Sequence, residues 1–110
     1  MATKSNEPQY LYLTTTGWKS GKPHEIEIWF VMHEGRYYLV SEHYERSHWV
    51  INIQHNPAIT FRVAEQTFAG TGRIVNTTVE PDLAAQVCRL MDAKYNWSTG
   101  LIVELQAHTS

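Results

Sequence analysis

Apolar and polar positions alternate along much of this chain, and the breaks in that alternation mark its turns. Residues 9–14 read as a first strand that runs into three hydroxyls, Thr14, Thr15 and Thr16. Residues 24–31 alternate with period two: Ile26, Ile28 and Phe30 on one face, Glu25, Glu27, Trp29 and Val31 on the other. The isoleucine face is expected to meet the core. Trp29 then shares a face with two glutamates, where it marks either a ligand or subunit contact or simple local packing. His33-Glu34-Gly35-Arg36 reads as a tight turn and residues 37–42 as the next strand, so 24–42 is expected to form a hairpin.

Residues 45–55 read as a short helix with Trp49, Val50 and Ile53 on its apolar side and His48, Asn52 and His55 on a polar one, stopped by Asn56-Pro57. Residues 58–64 and 67–75 are two further strands around Glu65-Gln66. Glu80-Pro81-Asp82 opens the clearest helix, with Leu83, Val87, Leu90 and Met91 at helical spacing. Residues 101–105 form a last strand. The pattern predicts a mainly β fold with helices (α+β): six antiparallel strands in a small barrel, with one short and one longer helix packed outside. Residues 1–8 are expected to be a flexible lead and 9–106 a single domain. So small a barrel has little interior room, so a ligand is expected in an outer groove or between subunits.

Composition narrows the function classes. The formal net charge is −2 without a basic stripe, which argues against nucleic acid as the main partner. The single cysteine, Cys88, falls in the longer helix, where an inert buried thiol is expected. The first residues lack the apolar core of a signal peptide, and no apolar run is long enough to span a membrane; the expectation is a cytoplasmic protein. His43, His48 and His55 have none of the spacings of a zinc motif, so no metal site is expected.

The candidate chemistry lies in Leu13-Thr14-Thr15-Thr16-Gly17-Trp18-Lys19-Ser20-Gly21-Lys22-Pro23. Hydroxyls, a lysine and glycine-flanked backbone amides are the parts that hold a phosphate or another anion. The same composition also suits a plain hairpin turn. His24 and His43 can serve as anion contacts, since imidazolium donates near neutral pH.

That segment resembles the opening motif of the deazaflavin-dependent nitroreductase family, which belongs to the flavin and deazaflavin oxidoreductases built on the split β-barrel of pyridoxamine-phosphate oxidase. Tyr38-Leu39-Val40-Ser41 followed by Glu45-Arg46-Ser47-His48-Trp49-Val50-x-Asn52-Ile53-x-x-Asn56-Pro57 is similar to the family's strand, loop and helix. Thr67-Phe68-x-Gly70-x-Gly72-Arg73-Ile74-Val75 is similar to its next strand. The resemblance implies a homodimer with cofactor clefts near the subunit interface, binding the deazaflavin coenzyme F-420, with FMN the alternative. It implies phosphate contacts from Lys19 and Ser20, a cofactor border of Trp49 and Asn52, an aromatic near the reacting ring in Trp29, and a lining loop after Ser41 that carries His43 and Arg46. Trp18 either covers the cofactor or packs across the turn.

The family often has basic residues where this chain has Trp18 and His24, and a basic or small one where it has Glu42. The implied activity is hydride transfer to a small unsaturated, quinone or nitro substrate. No catalytic side chain is assigned; Tyr37, Tyr38, Ser41 or water are the candidates for proton donor. The alternatives are an FMN-dependent oxidoreductase of the same fold, a non-catalytic carrier or sensor, and a dimeric scaffold with a degenerate pocket.

Overall fold

In β1 (Tyr10–Thr16), Leu11, Leu13 and Thr15 are buried in strict alternation, which fixes one face of the sheet to the core. The computed structural model describes residues 8–108; the lead expected at 1–8 lies outside them except for Pro8. After β1 come β2 (Pro23–Trp29), β3 (Val31–His33), β4 (Arg36–Ser41), a 3-10 turn (Tyr44–Arg46), α1 (His48–His55), β5 (Ala58–Val63), β6 (Gln66–Ile74), α2 (Pro81–Tyr95) and β7 (Leu101–Ala107). The strands form one antiparallel sheet in the order β2-β1-β5-β6-β7-β4-β3.

The sheet curls into a split β-barrel. Tyr37 on β4 and Phe61 on β5 are three strands apart in that order, which in a flat sheet means about 14 Å. Their ring centroids lie 5.0 Å apart. The concave face holds Leu11, Leu13, Leu39, Phe61, Val103 and Leu105, and α1 inserts Val50 and Ile53 among them. The opposite face carries Val40, Val75 and Ile102, covered by Val87 and Met91 of α2. Cys88 is half-buried beside that second cluster.

There are seven strands instead of six, because the strand expected over 24–31 breaks at Phe30. The Phe30 amide donates to the Tyr95 hydroxyl at 3.0 Å, and its carbonyl oxygen accepts from Lys94 Nζ at 2.9 Å. With both groups satisfied by α2, Phe30 needs no ladder partner, and the chain turns from one edge of the sheet to the other. The hairpin expected over 24–42 is therefore two hairpins: β2 pairs β1 (Tyr10↔Trp29 to Thr16↔Pro23), and only Val31–His33 pairs β4. Phe30 is buried in the concave cluster, with Ile26 and Ile28 half-buried against it. Trp29 and Val31 turn to the second cluster, where Trp29 stacks on Tyr95 at 4.4 Å.

One carboxylate sits in this second face. Glu104 is 3% exposed and accepts from Arg73 Nε at 2.9 Å and from the Tyr38 hydroxyl at 2.8 Å. Burial pushes its pKa up, but the hydrogen bonds from Arg73 and Tyr38 outweigh it, and the net shift is downward. Burial and Glu104 push the Tyr38 phenol well up. Arg73 also forks onto Glu80, at 2.7 and 3.1 Å. No helix among the described residues is long and apolar enough to cross a membrane.

Candidate functional site

The motif segment is both things that its composition allowed. It is the loop of the β1–β2 hairpin, and it forms the rim of a groove. The Gly17 amide donates to the Lys22 carbonyl at 2.8 Å and the Gly21 amide to the Gly17 carbonyl at 2.8 Å. Gly21 takes φ +72°, a conformation that glycine adopts at no steric cost. The Lys22 amide donates to Ser20 Oγ at 3.1 Å, which leaves the Ser20 hydroxyl proton for another acceptor; His24 Nε2 lies 3.4 Å away. With four of the loop amides engaged, those of Lys19 and Ser20 are the two without a partner among the described residues.

Asn52 fastens this loop to α1. Its Oδ1 accepts the Trp18 amide and its Nδ2 donates to Thr15 Oγ1, both at 3.0 Å. It is 4% exposed, so the residue expected on a polar, open side of the helix is buried under the loop. The Trp18 ring stacks on His55 at 4.9 Å, and Lys19 Nζ lies 4.8 Å from the indole centroid.

Two grooves open on this side of the barrel, and Trp49 lines both. The first, of about 490 Å³, brings together Trp18, Lys19, Ser20, His24 and Asn52, with Thr15 and Gly17 also in its lining. The second, of about 680 Å³, takes Trp29, Ser41 and His43. Arg46 lines neither; it ends the 3-10 turn, exposed. Both volumes fall in the usual range for small-molecule sites.

His48 and Glu25 in the first groove, and Glu27, Tyr10 and Trp97 in the second, were not anticipated. His48 stands four residues before Asn52 on α1, a spacing that carried the signal. Trp97 follows α2 in an aperiodic segment and carried none. Two of the proposed proton donors are placed elsewhere: Tyr37 and Tyr38 line neither groove, and the Tyr38 hydroxyl donates to Glu104. Ser41 does line the second groove, but its hydroxyl donates to the Tyr44 carbonyl at 2.8 Å. Among the described residues, no three His, Cys, Asp or Glu side chains gather as a metal site.

Residues 2–102 match the family described as F420H(2)-dependent quinone reductase. No match was found among curated proteins. Of solved structures, the conserved hypothetical protein Rv2991 from Mycobacterium tuberculosis is similar with a TM-score of 0.76 and 17% identity, over 99% of this chain and 82% of that one. An F420-H2 dependent reductase, FDR-A, is similar with a TM-score of 0.63 and 21% identity, over 89% and 94%. A putative pyridoxamine 5'-phosphate oxidase from Listeria innocua gives 0.67 and 11%, over 93% and 86%. At these identities the likeness to solved structures is one of fold.

Proposed function

The chain belongs to the F420H(2)-dependent quinone reductase family, a family of deazaflavin-dependent oxidoreductases, and on that premise we propose that it passes a hydride from the reduced coenzyme F-420 to a small unsaturated, quinone or nitro acceptor. The observation that carries this reading is the first groove, in which a cluster of donors adjoins a flat aromatic wall. Lys19, Ser20 and His24 supply a cation, a hydroxyl and an imidazole, the last two 3.4 Å apart. The Lys19 and Ser20 amides add two N–H groups that have no partner among the described residues. This donor set fits the coenzyme's phosphate, and Trp49 fits its ring system.

The coenzyme, when bound, supplies the hydride. The chain's own residues bind and orient. Lys19 and Ser20 hold the anionic end, and Asn52 keeps their loop at a fixed distance from α1 through its bonds to Trp18 and Thr15. Trp49 lines both grooves, so a coenzyme ring packed against it in the first would border the second, where the acceptor would lie. The grooves are open on the single chain, which agrees with completion by a second copy in a homodimer.

Fluorescence titration of the apo protein with F-420 and, in parallel, FMN tests the reading. Saturable binding of F-420 that Lys19→Ala weakens about 10- to 100-fold is expected, the loss of one charge-assisted contact. Tight FMN binding with none of F-420 would replace the cofactor. An unchanged F-420 dissociation constant in Lys19→Ala would sink the phosphate role.

A further inference from the structure

The two grooves differ in the chemistry they offer to a ligand, although Glu25 lies among the donors of the first and His43 among the acceptors of the second. The first is rich in donors. The second is rich in acceptors, and one of them follows from a chain of hydrogen bonds. Ser41, 2% exposed, gives its only hydroxyl proton to the Tyr44 carbonyl oxygen at 2.8 Å. In the 2.7 Å contact between Ser41 and Ser47, Ser47 must therefore be the donor. Ser47, which lines the groove, turns only lone pairs to it. Glu27 and Glu42 add two carboxylates, and among the described residues no lysine or arginine lines this groove, its basic side chain being His43.

The walls are aromatic. Trp29 is held by Tyr95 at 4.4 Å with the rings 7° from parallel, and Trp97 meets it edge-on at 6.1 Å. With Trp49 they present π systems beside the carboxylates. Electron-rich aromatic surface together with anionic acceptors is the environment that attracts an organic cation.

We propose that the second groove binds a flat conjugated molecule carrying a cationic nitrogen, and that such molecules are a class of hydride acceptor for this protein. The second half of this statement rests on the function proposed above; the first does not. The chemistry is self-consistent. Hydride adds to the ring carbon conjugated to the cationic nitrogen and a C–H bond forms. The C=N π pair moves onto nitrogen and cancels its charge. The reductant would be the reduced deazaflavin coenzyme, which gives up two electrons as the hydride and releases one proton to solvent. No protein acid is needed, which agrees with Ser41's committed proton and with the positions of Tyr37 and Tyr38 outside both grooves. The neutral product loses the attraction that held the cation, which favours its release.

The test uses the apo protein and three tricyclic probes of one size: 10-methylacridinium, neutral acridine and acridine-9-carboxylate. Binding is measured by calorimetry, and the site is read from the Trp29 and Trp97 indole N–H resonances, assigned through Trp→Phe variants. The cation is expected to bind about tenfold more tightly than acridine and to shift both resonances. The double variant Glu27→Gln, Glu42→Gln is expected to bring the cation's affinity to that of acridine while its melting temperature reports an intact fold. Each single variant serves if the double one does not fold. Equal or tighter binding of the carboxylate, or a cation affinity indifferent to these substitutions, would overturn the proposal. Binding of the cation in a protein that ignores F-420 would leave the site standing and remove the hydride-transfer reading instead.

Discussion

Asn52→Ala separates the architecture of the site from its chemistry. The side chain makes two hydrogen bonds at 3.0 Å, one to the Trp18 amide and one to Thr15 Oγ1. Thr15 is 2% exposed, so water cannot readily replace the lost donor there. The Trp18 amide is part-buried and recovers some of its loss from solvent. A buried polar group left without its partner costs about 1–3 kcal/mol, and the more accessible bond about 0.5–1.5 kcal/mol. The expected destabilisation is therefore about 1.5–4.5 kcal/mol, which at roughly 4 °C per kcal/mol for a domain of this size lowers the melting temperature by about 6–18 °C. Urea titration followed by tryptophan fluorescence measures it without any ligand. Pairing the substitution with Thr15→Val should give a coupling energy of about 0.5–1.5 kcal/mol. A loss below about 0.5 kcal/mol, or strict additivity with Thr15→Val, would refute the claim that Asn52 fastens the loop. Asn52→Asp keeps an acceptor for the Trp18 amide and lets the Thr15 hydroxyl turn to donate. It should therefore cost less stability than Ala, yet repel an anion from the donor-rich groove.

Glu104 has a pKa below its usual carboxylate value of 4.5 in the folded chain. Its contribution is therefore complete above that value and is lost as pH falls through the depressed folded pKa. Glu104→Gln should cost about 1–3 kcal/mol at neutral pH and flatten the acid limb of urea midpoints recorded from about pH 6 to about pH 2; an unchanged limb would mean the carboxylate does not carry it. Gly100 takes φ +155°, and a Cβ there would run into the Ser41 carbonyl oxygen. Gly100→Ala should cost at least about 2 kcal/mol and disturb the second groove more than the first, read as a melting temperature and as indole shifts at Trp29; a melt within a degree or so of the parent would count against it. Lys19→Ala, which removes an exposed side chain, should leave the melting temperature unchanged while the F-420 affinity falls.

Local alternation was enough to find most elements. β1, β5, the core face of α2 and the proline at its start all follow from spacing within a few residues. What the pattern could not carry is any interaction set by distant residues. The alternation of 24–31 continues smoothly through Phe30, yet the strand breaks there because Lys94 and Tyr95, more than sixty positions later, take its carbonyl and amide. Tyr38 reads like any strand tyrosine until the pairing of β4 with β7 sets it opposite Glu104. Asn52 looked open to solvent on its own helix and is buried because another hairpin's loop closes over it. In the same way the motif segment identified the first groove, whereas the second is assembled from β2, the loop after β4, α1 and Trp97, and no single stretch announces it.

An edge strand ordinarily frays, and its amides exchange with solvent through small local openings. Here one edge ends and the other begins at Phe30. Its ring is fully buried, and Lys94 Nζ sits 4.0 Å from the ring centroid. Opening either edge at this point means withdrawing that ring from the concave core and breaking the grip of α2 on its backbone. The Phe30 amide should therefore exchange only in openings that cost nearly the whole stability of the domain, at the place in the sheet where fraying would ordinarily be easiest.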